Sequence, residues 1–291
     1  MGKVPQEESS EENLAITVLS LFVNEAEITN LWKLDSIGIN DPVEKKSKNE
    51  IDLRTKEYFL ETVTINKDGR YEVCLPWSDK SPLPDNLDLA KKRLDCTTSK
   101  LIVMNMYEKY ENILPNWLDE DIIEEVPTNE MNFYGNYFPH RAVIKLSSST
   151  TPIRPVFEAS ARLANYPSLN QCLGCGPNLI ELIPNILRFR EGQIGVIADT
   201  RKTFLQISIR KEDRDFLRFL WWENREEKKL RVFRHTRVVF GVKCSPFLLA
   251  SVIEYHIQKC EGFEESLKKR LLESFCIDNV VTSVDSTDQL D

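Results

Sequence analysis

Apolar residues recur at intervals of three or four in several stretches of the chain, whereas other stretches concentrate β-branched and aromatic residues. The first pattern is typical of helices with one buried face, and the second of strands. The helical pattern covers residues 44–60, 87–94, 100–114, 178–190, 245–258 and 264–273. The strand pattern covers two short strands within 61–74 and then 193–198, 216–222, 230–240 and 275–281. This mixture predicts an α+β fold.

Prolines and capping residues suggest where the predicted helices end. Because proline lacks a backbone N–H, Pro115 is expected to end the helix at 100–114 and Pro184 to kink the helix at 178–190. Pro246 stands where a first helical turn accepts proline, and Ser245 before it is a predicted N-cap. The charged segment 223–229 (ENREEKK) separates two aromatic strands and is predicted to be the solvated tip of a hairpin.

The composition bounds the class of protein. With 291 residues, of which 41% are hydrophobic, the chain is long enough for two domains and too apolar to be disordered throughout. Residues 1–13 are polar and acidic and are expected to form a disordered tail, and a domain boundary is expected between residues 126 and 136. The longest apolar run, 14–23, is too short to span a bilayer, which predicts an intracellular protein without membrane contact. Seven irregularly spaced cysteines predict reduced thiols.

Charge is distributed unevenly along the chain. The formal net charge is −8, but residues 140–240 contain 18 Lys and Arg against 10 Asp and Glu, a local charge of +8. Affinity for nucleic acid depends on local charge, so a basic region within an acidic chain can bind a phosphate backbone. The alternative, a solvated face that happens to be basic, stays open at this stage.

Two aspartates are candidates for chemistry. Asp199 follows the strand at 193–198, Asp278 lies within the strand predicted at 275–281, and the segment 240–246 (FGVKCSP) joins a strand to a helix between them. An unpaired carboxylate is costly to bury in a strand, and metal binding would account for it. Two converging carboxylates can hold Mg²⁺, and paired metal ions catalyse phosphoryl transfer. The residues alone leave open that both are turn aspartates paired with nearby arginines.

Four sequence blocks resemble a known family. In chain order they are KLSSSTTPIRPVFEASAR with the following SLN, VIADTRKTFLQI, FGVKCSPFLLASVIEYHI and FCIDNVVTS. They resemble the fingers and palm of reverse transcriptases, most closely the Pol polyprotein of BEL/Pao long-terminal-repeat retrotransposons. Upstream, LWKLDSIGINDP and GRYEVCLPWSDKSPLPDNLDLAKKRL resemble the segment that joins protease to polymerase. The resemblance implies a linker region at 14–130, and right-hand polymerase fingers with a partial palm at 131–291, truncated before the thumb.

The resemblance also implies an activity and its partners. The activity is RNA-directed DNA polymerisation, in which a primer 3′-hydroxyl attacks a deoxynucleoside triphosphate and two Mg²⁺ ions bear the charge. The partners are an RNA or DNA template with its primer, deoxynucleoside triphosphates and the remainder of the Pol polyprotein, in a cytoplasmic virus-like particle. Asp199 and Asp278 would be the metal ligands, with a carbonyl of Ala198 or Thr200 completing the shell.

The family's nucleotide pocket maps onto further residues. Phe204 would lie under the incoming sugar and select deoxynucleotides, Phe240 would pack near that sugar, and Gly241 would let the backbone approach the substrate. The cations expected to clamp the triphosphate are Lys145 and Arg154, and these are expected to line the cleft facing the first aspartate together with Arg162.

The chain departs from the family pattern at its last motif. Asn279 stands where a second aspartate is expected, and Cys276 stands where a tyrosine is expected. An asparagine offers a carbonyl oxygen without charge, so metal affinity is expected to be lower. Two functions therefore stay open: a polymerase, or a catalytically inactive remnant that binds nucleic acid through its basic region.

Other candidate sites have simpler interpretations. Cys172 and Cys175 have zinc-ligand spacing, but no second pair follows, which favours a loop with two free thiols. The three histidines, His140, His235 and His256, form no nucleophile set. Trp221 and Trp222 could stack on bases, but beside a hairpin they are expected to lie in the core.

Overall fold

The structure, a computed structural model, describes residues 42–78, 83–145, 153–179, 182–277 and 279–286, of which 42–47, 182 and 183 are described by their backbone only. The chain divides into two units, Met1–Glu50 and Ile51–Asp291. Of the first unit, the described residues are helical. The predicted tail at 1–13 lies outside the described residues, and the predicted linker at 14–130 stays a prediction.

The described residues form nine α-helices and eleven strands. The helices are α1 (Pro42–Thr62), α2 (Leu87–Val103), α3 (Tyr107–Glu111), α4 (Ile113–Asp119), α5 (Leu169–Cys172), α6 (Leu182–Arg188), α7 (Lys211–Arg214), α8 (Ser245–Lys259) and α9 (Glu265–Ser274). The strands are β1 (Thr64–Ile65), β2 (Tyr71–Val73), β3 (Ile123–Glu125), β4 (His140–Ile144), β5 (Ile153–Phe157), β6 (Ile194–Asp199), β7 (Ser208–Ile209), β8 (Arg218–Asn224), β9 (Lys229–His235), β10 (Phe275–Cys276) and β11 (Asn279–Val284).

The strands assemble into small sheets. Three sheets have three strands each, in the orders β1-β2-β7, β10-β11-β6 and β3-β9-β8, and β4 with β5 forms a two-stranded sheet. Every pair of named strands in the described residues is antiparallel except β2 with β7. Helices interleaved with small, mostly antiparallel sheets define an α+β fold, as the sequence predicted. No helix among the described residues is long and apolar enough to cross a membrane.

The aromatic hairpin of β8 and β9 lies in the hydrophobic core, as predicted. Trp221 and Trp222 are 3% and 8% exposed, while the tip at residues 225–228 is exposed. The Trp221 ring stacks on Tyr107 and lies 5.2 Å from Tyr110 between centroids. Both tryptophans are therefore core residues and not surfaces for bases.

The segment 87–119 differs from its prediction. The predicted bounds of the helices at 87–94 and 100–114 are wrong, because α2 runs unbroken from Leu87 to Val103. It ends before Asn105, whose φ of 53° is the left-handed conformation that ends many helices. Pro115 does not end a helix but is the third residue of α4, in a first turn where its absent N–H is not needed.

Remote partners explain why α2 passes through Thr97 and Thr98. The Thr97 hydroxyl donates to the His140 carbonyl at 2.8 Å, and the Thr98 hydroxyl accepts the Trp222 indole N–H at 2.8 Å. Threonine hydroxyls without such partners compete with helix formation, and the remote partners remove that competition here.

Three other predictions of detail are corrected. Pro184 is the third residue of α6, so it lies in the first turn and produces no kink. Ser245 is not an N-cap: Cys244 occupies that position, and the Ser245 hydroxyl donates to the Val239 carbonyl at 2.7 Å. The single strand predicted at 275–281 is two strands, β10 and β11, in which Cys276 pairs with Asn279. The strand at 193–198 and the helix at 264–273 are confirmed as β6 and α9.

Residues 51–126 are joined to the basic region at 140–240 by hydrogen bonds as well as packing. Strand β2 pairs with β7, and β3 pairs with β9. The buried Asp213 carboxylate accepts the Leu75 backbone N–H at 2.6 Å and the Trp77 indole N–H at 2.9 Å. Burial raises the pKa of the Asp213 carboxyl, and these two donors oppose that effect. Residues 51–126 thus fold with the basic region as one unit.

Candidate active site at the end of β6

Strand β6 ends at Asp199, and its partner strand brings the last sequence motif beside it. In the β6–β11 ladder, Asp199 lies opposite Asn279 and Ala198 opposite Val280. The pairing joins residues about 80 positions apart in the chain. Asp278 itself lies outside the described residues, so its convergence with Asp199 stays a prediction, but Asn279 is its covalent neighbour.

The Asp199 carboxylate is available for a ligand. It is exposed, and no described side chain forms an ion pair or hydrogen bond with it. Four of the six residues of β6, Asp199 among them, are exposed, so the carboxylate avoids the desolvation cost of a buried charge. The arginine pairing that the sequence left open is absent from the described residues around this aspartate.

The backbone next to Asp278 is strained. Ile277 has a φ of +61°, a left-handed conformation that a β-branched residue rarely adopts. Such residues cost on the order of 1–3 kcal/mol and cluster at functional sites. The strain therefore falls directly beside the residue that the sequence assigned to metal binding.

The two aromatic residues of the expected nucleotide pocket lie together. The rings of Phe204 and Phe240 are 4.3 Å apart between centroids, although 36 residues separate them in the chain. Phe204 is 2% exposed and Phe240 is 61% exposed. The sugar-facing role was expected of Phe204, but in this arrangement Phe240 covers it and presents the accessible ring.

The turn after β6 is stabilised by a hydrogen bond from a side chain within the turn to its backbone. Lys202 has a φ of 54° and begins the 3₁₀ turn Thr203–Gln206, and the Thr203 hydroxyl donates to the Thr200 carbonyl at 2.6 Å. That carbonyl was a candidate metal ligand, and one of its two lone pairs already accepts this hydrogen bond. The other candidate, Ala198, lies within the β6–β11 ladder.

Gly241 stands where only glycine fits. Its φ is +100°, and a Cβ atom added there would lie 2.3 Å from the Phe157 carbonyl oxygen. The close approach seen at Gly241 is to the end of β5, and the expected approach of its backbone to substrate stays a prediction.

Asn170 positions the Gly241 loop, and sequence analysis missed this residue. Its amide donates to the Gly241 carbonyl at 3.1 Å and to the Ser160 hydroxyl at 2.9 Å, and its carbonyl accepts the Lys243 N–H at 2.8 Å. A readable signal was the capping box formed by Ser168 with Gln171, which predicts a helix start that includes Asn170.

The two expected triphosphate-clamping cations lie on one hairpin. Arg154 of β5 is paired with Val143 of β4, and Lys145 follows the end of β4. Since side chains alternate along a strand, residues 143 and 145 point to the face that also carries Arg154. Both cations are exposed. The third expected cation, Arg162, is in a separate loop, where it donates to Gln171 at 3.3 Å. That the three face Asp199 stays a prediction.

The described residues offer oxygen ligands of the type that Mg²⁺ prefers, but too few of them to hold the ion. A carboxylate at Asp199 and an amide oxygen at Asn279 are oxygen ligands, which Mg²⁺ prefers. Among the described residues, no group of three or more His, Cys, Asp or Glu is arranged to hold a metal ion. A metal site here would therefore require Asp278.

Histidines and cysteines form no second catalytic site. His140 and His235 are fully buried, and burial lowers their pKa values to about 4 and about 3, the second also because of its neighbour His140. All seven cysteines are free thiols, as predicted, with Cys172 buried and Cys175 exposed. His256 is bonded to the Tyr71 hydroxyl at 3.0 Å.

The chain resembles solved structures at low identity. No protein-family model matches the chain, and no curated protein matches it. A solved structure of a foamy viral protease-reverse transcriptase in complex with double-stranded DNA is similar, at 13% identity and a TM-score of 0.44. The match covers 62% of this chain and 26% of that chain, so the present chain spans about a quarter of that length. A likeness of this degree carries no functional argument.

Proposed function

We propose that this chain is a reverse transcriptase segment that transfers deoxynucleotides to a primer 3′-hydroxyl on an RNA template. The observation that carries the proposal is the β6–β11 pairing, which sets Asp199 opposite Asn279, the covalent neighbour of Asp278. The exposed Asp199 carboxylate at the end of β6 and the strained residue Ile277 next to Asp278 support a metal-dependent phosphoryl-transfer site.

Asp199 and Asp278 would hold the two Mg²⁺ ions. When bound, the metal ions lower the pKa of the primer hydroxyl and neutralise charge on the reacting phosphate. The residues of the chain bind and orient the nucleotide. Lys145 and Arg154 would neutralise the triphosphate from one face of the β4–β5 hairpin. The partners are accordingly a primed template, deoxynucleoside triphosphates and the remainder of a BEL/Pao-type Pol polyprotein.

The base of the proposed sugar site is the pair of Phe204 and Phe240. Phe240 is the exposed ring, so it would contact the sugar first, and its rotation would expose Phe204. A ring at this position would collide with a 2′-hydroxyl and thereby select deoxynucleotides. Asn170 would keep the Gly241 backbone in place for the same pocket.

Primer extension by the full chain tests the proposal, on primed RNA and primed DNA with Mg²⁺ and deoxynucleotides. Asp199→Asn should abolish extension because it removes a principal ligand, while Asn279→Asp should raise it by restoring a second charge next to Asp278. The matched control is Asp68→Asn, an exposed aspartate in the turn between β1 and β2, which should leave extension unchanged. Unchanged extension in Asp199→Asn would refute the assigned site.

A second candidate function is nucleic-acid binding without catalysis, and Asn279 is the observation that favours it. An amide in place of a carboxylate leaves fewer charges to hold two divalent ions. If no variant extends a primer, Asn279→Asp included, while circular dichroism shows an intact fold and primed template still binds, this second function replaces the first.

A further inference from the structure

The exposed face of the β4–β5 hairpin carries a row of cations. Arg141 and Val143 stand two residues apart on β4, so their side chains leave the same face, and Arg154 lies opposite Val143. Both arginines are exposed, whereas the alternate residue His140 is buried in the core. The hairpin therefore separates an apolar face from a basic one.

Helix α2 adds two further cations beside the hairpin, where the cleft is lined by Arg141 and also by the apolar-face residues His140, Ala142 and Ile144. Leu94 and Leu101 bury one side of this helix, and the Thr97 hydroxyl binds the His140 carbonyl at the start of β4. Arg93 and Lys100, seven residues apart, lie on α2 beside the hairpin. A cleft of about 160 Å³ separates helix and strand, lined among others by Arg93, Cys96, Lys100, Met104, Arg141 and Glu158.

The cleft has an excess of positive charge. Its lining carboxylate, Glu158, forms an ion pair with Arg141 at 3.4 Å between Oε1 and Nε. No carboxylate of a described residue forms an ion pair with Arg93 or Lys100. Three cations against one anion leave a site for a polyanion. Seven helical residues advance about 10 Å, which is comparable to about three nucleotide steps of a strand.

We propose that the cleft between α2 and β4 binds the phosphate backbone of a nucleic-acid strand through Arg93, Lys100 and Arg141. The inference rests on the proposed function in that the strand would be the template. It assigns a binding role to a helix in residues 14–130, the region that the resemblance implies to be a linker. Arginine can contact phosphate through two N–H groups, and Lys100 adds a point charge.

Salt-dependent binding tests this proposal. Fluorescence anisotropy measures the full chain with labelled single-stranded RNA, single-stranded DNA and an RNA–DNA duplex, in EDTA and without nucleotides. The triple variant Arg93→Gln, Lys100→Gln, Arg141→Gln should reduce the slope of log K against log salt by about 2 for single strands and somewhat more for duplex. It should also weaken binding uniformly across sequences.

A charge-matched control separates the cleft from net charge. Lys67, Lys228 and Lys269 are exposed elsewhere on the surface, and their triple change to Gln removes the same charge. The proposal expects this control to retain nearly the parental slope, and both variants to keep the parental melting temperature. Equal slopes for the two triple variants would overturn it, as would the absence of parental binding at low salt. Displacement by polyglutamate as readily as by RNA would assign the cleft to an acidic protein instead.

The test is independent of catalysis. Asp199→Asn should bind with the parental slope, because it leaves the cleft unchanged. Primer extension could therefore fail while the cleft still binds, and the cleft could fail while extension by the Asp199 site persists.

Discussion

Gly241→Ala tests whether the loop proposed to contact nucleotide is held rigidly. Glycine at this position has a φ of +100°, and an added Cβ would lie 2.3 Å from the Phe157 carbonyl oxygen, where real contacts are at least 3.0 Å. One of the two must move by about 0.7 Å. Phe157 cannot retreat easily because its ring lies 5.1 Å from Phe219 and 4.4 Å from His235, both buried.

The free energy of the change has two parts. Adopting a positive φ costs an alanine about 1–2 kcal/mol, and forcing an extra carbon into a packed region costs about 1–3 kcal/mol. Gly262 isolates the first part because its φ is also +100° but nothing lies within 4 Å of its added Cβ. Gly262→Ala should therefore lower the free energy of unfolding by about 1–2 kcal/mol and Gly241→Ala by about 2–5 kcal/mol.

Urea denaturation of the two variants and the parent, followed by circular dichroism, measures the difference. Gly241→Ala should also reduce primer extension, since relief of the collision displaces the Gly241 carbonyl from Asn170. Gly262→Ala should not. Equal losses of stability in both variants would refute the argument that the close approach to Phe157 is rigid.

Two further predictions concern stability. His140 and His235 have native pKa values of about 4 and about 3, below the unfolded value near 6.5, so the unfolded state binds more protons at acid pH. The free energy of unfolding should be highest above about pH 6.5 and fall as the pH drops towards 4, by up to about 1.4 kcal/mol per pH unit for each histidine. Urea titrations from pH 7.5 to 5 measure this dependence. A free energy of unfolding that does not change over this range would contradict the prediction. Arg234 is 3% exposed and bonded to Glu124 at 2.6 Å and Asp215 at 2.8 Å. Changing Arg234 to Leu should lower the free energy of unfolding by about 1.5–3 kcal/mol, because these partly buried carboxylates lose one charged hydrogen-bond partner but keep Arg214 and Arg218. Arg231→Leu, which breaks the more exposed pair with Glu125, is its control and should cost about 1 kcal/mol or less in the same denaturation experiment.

The local pattern of apolar and polar residues was sufficient to predict those helices and strands whose structure depends on residues nearby in the chain. The β8–β9 hairpin was predicted because two aromatic runs flank a charged tip, and burial of Trp221 and Trp222 follows from the same pattern. Strand β6 and helix α9 were predicted for similar reasons. In the candidate site, Asp199, Phe204, Phe240 and Gly241 could be selected from sequence blocks alone.

Only the tertiary structure decided how these residues meet. The resemblance predicted that Asp199 and Asp278 converge, but the sequence did not predict the register that sets Asp199 opposite Asn279. Nor did it predict that Phe240 covers Phe204 or that Asn170 holds the Gly241 loop. Each contact joins segments separated by 36 to about 80 residues, and no local periodicity encodes such a pairing.

The same reason explains the errors in secondary structure. The helical pattern was predicted to be interrupted between residues 94 and 100, a stretch that contains Thr97 and Thr98, whose hydroxyls can compete with the backbone for hydrogen bonds. In the fold those hydroxyls bind groups 43 and 124 residues away, so the competition disappears and α2 continues. Whether a polar side chain permits or interrupts a helix thus depends on its remote hydrogen-bond partner. Only the folded chain supplies that partner.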